Sequence, residues 1–359
     1  MPNLDSIAAL EAALTSLQWN KARIKCLAAF LVALLTRQST CLAKLAPLFP
    51  TQAKQASAYK RLQRFLKDFA PDLDQLARTL SRLCRVCPPW HLAMDRTNWK
   101  LGKVHLNLLM LCLVTEGISF PLLWMSLSRD GAGKAGNSHT SERITLMERF
   151  VKLFGKAACA CLMADREFAS RAFLSWLEQA GLGYCLRLKG DTLIANGRGE
   201  LCCADWLFRD CPIERERVLG WRRVLGKVRF VSGTRLAAGD FLIVVSDTER
   251  SLSVYALRWG IETLFGAFKR RGFDLEATHV TDPVRLSRLV ALLALAYTWA
   301  GVCGLWCFAR AGLQLKKHGR WPISIVRLGL DWLQPIMARL CRNVGEWQLS
   351  TALLFLSCT

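Results

Sequence analysis

An α/β fold flanked by helical regions is what the sequence predicts, and three observations carry that expectation. Between residues 90 and 188, apolar runs of strand length alternate with turns and with stretches of helical period. From Lys189 to Thr248 glycines recur at short intervals and helical periodicity is absent. Before Pro88 and after Thr248, apolar residues return to three- and four-residue spacing.

The elements follow in order. Leu4–Leu17, Ala22–Leu35 and Thr51–Phe69 read as amphipathic helices punctuated by Pro47, Pro50 and Pro71. On the third, Lys60, Arg64 and Lys67 fall at i, i+4 and i+7 and share one face. Residues 1–88 hold 13 Lys and Arg against 5 Asp and Glu, so this face is read as a DNA contact rather than a merely solvated surface. Trp90–Asp95, Lys103–Val114 and Ile118–Leu127 fit a three-strand meander, with Glu116-Gly117 as a turn. A loop over Gly131–Gly136 leads into a helix over Ser138–Phe154, with Ser138, Thr140 and Ser141 as cap candidates. Cys159–Ala164 is a fourth strand ending in Asp165, Phe168–Ala180 a helix closed by Gly181, and Gly183–Leu188 a fifth strand. The order β-β-β-α-β-α-β is that of a ribonuclease-H-like core. Lys189–Thr248 reads as a β-rich insertion, and Leu252–Phe268, Val284–Ala309 and Ile323–Val344 as further helices. The expected organisation is thus 1–88 helical, 89–188 with 249–283 the core, 189–248 the insertion and 284–359 a C-terminal helical region suited to dimerisation.

Composition narrows the function classes. The 359 residues carry 49 Lys and Arg against 28 Asp and Glu, a net charge of +21, which calls for a polyanionic partner. The 15 cysteines show no regular framework in a chain too long for a disulfide scaffold. Cys84 and Cys87 form one CxxC without a second, so free thiols in a reducing cytoplasm are expected rather than structural zinc. Met1–Ser16 lacks the pattern of a secretory signal. Leu289–Phe308 is twenty residues without a charge, long enough to span a bilayer or to be a helix buried on all sides.

Chemistry concentrates on three acids. Asp95 and Asp165 end the first and fourth strands, neighbours in such a sheet, where side chains enter the crevice at the strand ends. Glu262 lies on the helix after the insertion. Carboxylate oxygens suit Mg²⁺ or Mn²⁺, and a pair of such ions serves phosphodiester chemistry. On that helix Tyr255, Arg258, Glu262 and Lys269 fall at i, i+3, i+7 and i+14, within a stripe about 60° wide at about 100° per residue. A solvated face does not explain the tyrosine, and a core face would bury unpaired charges. A face opposing a metal-bound phosphate answers both objections, with Arg258 and Lys269 on phosphate oxygens and Tyr255 donating a hydrogen bond.

The motif Tyr255-x2-Arg258-x3-Glu262-x6-Lys269 resembles the signature of the insertion-sequence-four family of DDE transposases. Asp95-Arg96-Thr97-Asn98-Trp99 and Asp165-Arg166-Glu167-Phe168 are similar to its first and second motifs, and Gly136-Asn137-Ser138 with Arg143 to a further stretch. The resemblance implies metal binding and catalysis by Asp95, Asp165 and Glu262 with Mg²⁺ or Mn²⁺, most simply two ions. It implies a homodimer assembled on double-stranded DNA, the terminal inverted repeats of the element and the target, in a bacterial cytoplasm at the nucleoid. It also implies stacking of an extruded base on tryptophan, for which Trp259 and Trp221 are candidates. A ribonuclease-H-like nuclease would share the acids without needing the stripe, and a transposase-derived DNA-binding protein that no longer cuts would not need all three acids. With these motifs, no membrane is expected, and Leu289–Phe308 is expected to be buried in protein.

Overall fold

The computed structural model describes residues 4–49, 54–101, 104–127, 136–250, 252–311, 321–340 and 346–357. Lys103, residues 131–135 of the expected loop, the first residues of the helix expected from Thr51 and the end of the one expected to reach Val344 lie outside them.

The N-terminal segment is helical: α1 (Leu4–Ala13), α2 (Lys21–Arg37), α3 (Leu42–Leu45), α4 (Gln55–Asp68) and α5 (Leu73–Leu83). Asn20 and Asp72 cap α2 and α5 by accepting from backbone N–H groups in the first turn. The central sheet begins with β1 (Trp90–Leu101), β2 (Val104–Thr115) and β3 (Ile118–Ser126). It continues through α6 (Thr140–Phe154), β4 (Cys159–Ala164), α7 (Arg171–Ala180) and β5 (Tyr184–Arg187). The insertion supplies β6 (Leu193–Ala195), β7 (Leu201–Cys203), α8 (Ala204–Phe208), β8 (Arg217–Val224), β9 (Lys227–Arg235) and β10 (Phe241–Ser246). Then come α9 (Leu252–Ala256), α10 (Trp259–Gly266), α11 (Pro283–Ala311), α12 (Ile325–Arg339) and α13 (Glu346–Leu356).

The strands form one sheet in the order β3-β2-β1-β4-β5-β10-β9-β8-β6-β7. β1, β4 and β5 run parallel to one another and the other described strand pairs are antiparallel. The first five positions have the ribonuclease-H-like arrangement, and the insertion extends that sheet through β10 on β5.

Several boundaries differ from expectation. β1 does not end at Asp95 but runs on to Leu101, because β2 pairs with it along its length, from His91↔Val114 to Leu101↔Val104. The caps expected among Ser138, Thr140 and Ser141 give way to His139, whose N–H is accepted by the Glu142 carboxylate. α7 starts three residues later than expected, at Arg171, capped by Ser170 accepting from Phe173.

α7 is tied to the insertion by a charged knot. Arg229 of β9 is 1% exposed and donates to Glu178 at 2.6 Å and to the Tyr184 hydroxyl at 3.1 Å. Tyr184 and Lys227 also donate to Glu178. Burial alone would raise the Glu178 pKa, but these hydrogen bonds hold it below the usual carboxylate range. Its stabilising contribution is therefore present above the unfolded value, about 4.3, and is lost as pH falls through the folded one. Glu178→Gln is expected to cost about 2 kcal/mol at pH 7, with the deficit closing below pH ~4. Urea melts at pH 7 and pH ~3.5 check this; an equal deficit at both would refute it.

α11 is long and apolar enough to cross a membrane. In the fold, every residue from Leu289 to Gly304 is buried in protein, against β3, α12, α5 and α2. The thirteen described cysteines, Cys84 and Cys87 among them, are free.

Candidate active site

The last parallel partners of β1 and β4 are Met94 and Ala164. Asp95 and Asp165 come next on the two strands, so the acids stand side by side where β4 ends and β1 runs on. This is the crevice in which α/β sheets bind ligands. Asp95 Oδ1 accepts from the Arg96 N–H at 2.8 Å. Its carboxyl is pushed up to about 6: burial is the main cause, Arg258 and that N–H oppose it, and Asp165 and Glu167 add to it.

α10 brings Glu262 to this edge. Gly260 makes the approach possible, since a Cβ there would stand 2.3 Å from Ser119 Oγ of β3. The expected single helix over Leu252–Phe268 is interrupted. Between α9 and α10 the N–H groups of Leu257, Arg258, Gly260 and Ile261 bond to carbonyls three residues back, tightening the chain toward three residues per turn. After α10 a π-helical turn, Ala267–Arg271, widens it again. The straight-helix stripe is corrected accordingly: Tyr255, Arg258 and Glu262 stay together, while Lys269 turns to a partner of its own.

Arg258 is 5% exposed and reaches two acids at once. Its Nη1 is 3.0 Å from Asp95 Oδ2 and its Nη2 is 2.8 Å from Glu262 Oε1. Burial works to lower its pKa, yet Tyr255, Asp95, Glu262 and Asp165 hold it above the ordinary value. Tyr255 is buried beneath, its ring 5.6 Å from the guanidinium carbon and its hydroxyl without a described partner. Lys269 donates from Nζ to the Asn98 carbonyl at 2.7 Å, on the part of β1 that projects past β4. Trp259 is 61% exposed, which removes core packing as its explanation. Trp221, on β8, is 48% exposed and edge-on to Phe230.

Three partnerships were not legible in the sequence. Arg96 of the first motif donates to Glu167 of the second at 2.8 and 2.9 Å and to Asn137 Oδ1, joining three quoted stretches. Arg143 donates to the Ser138 hydroxyl and carbonyl and lies over the Phe168 ring. Arg187 of β5 stands 3.7 Å from Asp165. Arg96, Glu167 and Asn137 were at least visible as motif members; Arg187 had no such signal.

The donor chemistry fits a divalent cation. Asp95, Asp165 and Glu262 offer hard carboxylate oxygens, and Asp165 Oδ1 is buried without a hydrogen-bond partner. As placed, the acids are not gathered into a compact set: among the described residues no three His, Cys, Asp or Glu side chains group closely enough to hold an ion. The Arg258 guanidinium stands between Asp95 and Glu262 instead.

Away from the acids, Lys60, Arg64 and Lys67 are exposed on α4 and line a cleft of about 830 Å³. Its other wall is Thr278–Asp282 with Arg285. Arg288 of α11 donates to the Leu66 and Lys67 carbonyls, fixing that wall to α4, and Ser39 and Thr40 bond to Asp274 on the segment leading to it.

Fold and acid placement together define a ribonuclease-H-like protein. The Transposase DDE domain family matches residues 87–299, well over half of the chain, and the chain belongs to that family. A solved structure similar to it is the cryo-EM structure of a piggyBac transposase synaptic complex with hairpin DNA. That chain is 11% identical at a TM-score of 0.49, with 99% of this chain and 83% of that one covered. No curated protein matches the sequence.

Proposed function

We propose that this protein is a DNA transposase of the insertion-sequence-four type, which cuts the ends of its element and joins them to target DNA. The observation that carries the reading is the meeting of Asp95 and Glu262 on Arg258, with Asp165 beside Asp95, inside the segment that matches the family. In this reading Asp95, Asp165 and Glu262 hold Mg²⁺ or Mn²⁺, two ions in the simplest case. When bound, such ions activate the attacking oxygen and stabilise the leaving one.

The chain's own residues bind and orient. Arg258 is a planar fork suited to a phosphate once it leaves the carboxylates. Lys269, held on the β1 projection, sets a second positive charge along the same edge. Arg96 and Glu167 hold the two aspartate motifs against each other. Trp259 and Trp221 offer exposed rings on which an unstacked base can rest. The α4 cleft grips the duplex backbone outside the cutting site, and two copies assemble on paired ends, with the C-terminal helices as the contact between them. In this reading the protein acts on its element in the bacterial cytoplasm, at the nucleoid.

The test is cleavage and joining by purified protein of a plasmid carrying the DNA that flanks this reading frame, with Mg²⁺ or Mn²⁺. The reading predicts nicks at the element ends and joined products. Intact plasmid under both ions overturns it. For the cleft, the triple substitution Lys60→Ala, Arg64→Ala, Lys67→Ala is expected to weaken DNA binding across sequences. The slope of log affinity against log salt should become shallower by about 0.9 for each phosphate that is no longer neutralised. Anisotropy titrations over a salt series measure it, and an unchanged slope removes α4 from the DNA path.

A further inference from the structure

We propose that Arg258 is an internal counter-ion for Asp95 and Glu262, released from them when a DNA phosphate takes the place of the carboxylates on its guanidinium, so that metal binding and DNA binding are coupled through this side chain. The proposal rests on the reading above, in which these acids bind metal and the substrate is DNA.

The geometry is specific. One prong of the fork is on each carboxylate, at 3.0 and 2.8 Å, and a single cation thereby serves both acids. Those are oxygens a divalent ion would need. A guanidinium and a divalent ion cannot share them without close like-charge contact, which is costly where water is excluded. Nothing else described ties the guanidinium down. Its Nε is buried with no hydrogen-bond partner, and the nearby Tyr255 hydroxyl has none either. The group is thus held by the two acids over an aromatic ring.

Its way out is short. The Glu262 side chain, on which one prong rests, is 41% exposed, so the ion pair borders solvent on that side. A phosphate oxygen is the natural alternative acceptor, because a phosphate too takes two parallel N–H bonds. By linkage, whatever factor DNA adds to metal affinity, metal adds to DNA affinity.

The experiment titrates Mn²⁺ into the full-length protein, reading free ion by electron paramagnetic resonance, with and without duplex DNA from the flanks of the gene. The expected result for Arg258→Gln without DNA is binding about tenfold tighter than wild type, or about 1.4 kcal/mol. DNA should tighten Mn²⁺ binding to wild type by a similar factor and change the variant little. Arg258→Lys, which keeps a charge but not the fork, should fall between them and guards against a folding defect in the glutamine variant. Unchanged or weaker Mn²⁺ binding in both variants, or no effect of DNA on wild type, overturns the proposal. Asp165→Asn separates the two levels. If wild type binds no Mn²⁺, or Asp165→Asn binds it equally well, the metal-site reading fails and the coupling with it. If Asp165→Asn loses the ion while Arg258→Gln matches wild type, only the coupling fails.

Discussion

Asp95→Asn is expected to lower strand cleavage at least about a thousandfold, roughly 4 kcal/mol of barrier, while the protein still binds duplex DNA because phosphate contacts carry most of the affinity. Asp95 lies in β1 next to Asp165 and shares Arg258 with Glu262, whereas the nearby Glu167 is paired with Arg96. Asparagine keeps the size and one acceptor oxygen but not the charge. The same substitution has a second consequence with the opposite sign to that of Glu178. An acid whose folded pKa is raised, here to about 6, binds protons more tightly in the folded state. The wild-type fold therefore loses stability as pH rises from about 4 through about 6, on the order of 2–3 kcal/mol. In EDTA, the stability of Asp95→Asn relative to wild type should therefore rise between pH ~4 and pH ~7, although the asparagine leaves buried Arg258 with Glu262 as its remaining acid partner. Gel assays on labelled DNA and urea melts read the two effects. Cleavage at the wild-type rate would remove Asp95 from the chemistry, and a stability difference that stays the same between pH ~4 and pH ~7 would refute the stability claim.

Gly329→Val is expected to cost about 4 kcal/mol or more, among the largest effects a single side chain produces. α11 and α12 cross in backbone contact. A Cβ at Gly329 would stand 1.8 Å from the Ala300 carbonyl oxygen and 2.8 Å from the Gly304 nitrogen. Across the same contact, a Cβ at Gly304 would stand 1.9 Å from the Ile325 carbonyl oxygen. These obstacles are main chain, so no rotamer change relieves them and the helices must part. α11 also packs on β3, as does the helix carrying Glu262, so separation loosens the floor of the candidate site. Gly197→Val is the control: no atom lies within 4 Å of a Cβ there, and its cost should stay within about 0.5 kcal/mol. Equal urea midpoints for the two variants would show that the crossing is not as tight as described.

Reading the residues alone was enough for the helix–sheet–helix order, the placement of Asp95 and Asp165 on neighbouring strands and the proximity of Tyr255, Arg258 and Glu262. These are local properties: apolar alternation reports which face of a strand is buried, and turn residues report where a run stops. Burial of Leu289–Phe308 was expected from the motifs around it, since hydropathy treats a bilayer and a protein interior alike. Tertiary structure decided the rest. β1 continues past Asp95 because β2 supplies hydrogen bonds that the one-strand pattern cannot announce. Arg258 meets Asp95 across 163 positions of sequence, Arg96 meets Glu167 across 71 and Lys269 meets Asn98 across 171. The straight helix expected over Leu252–Phe268 is tightened at Arg258 and widened at Lys269, which turns a stripe of like-facing side chains into separate contacts. A charged side chain takes whichever opposite charge the fold brings within reach, and in this protein that was settled by the packing of α10 on the sheet.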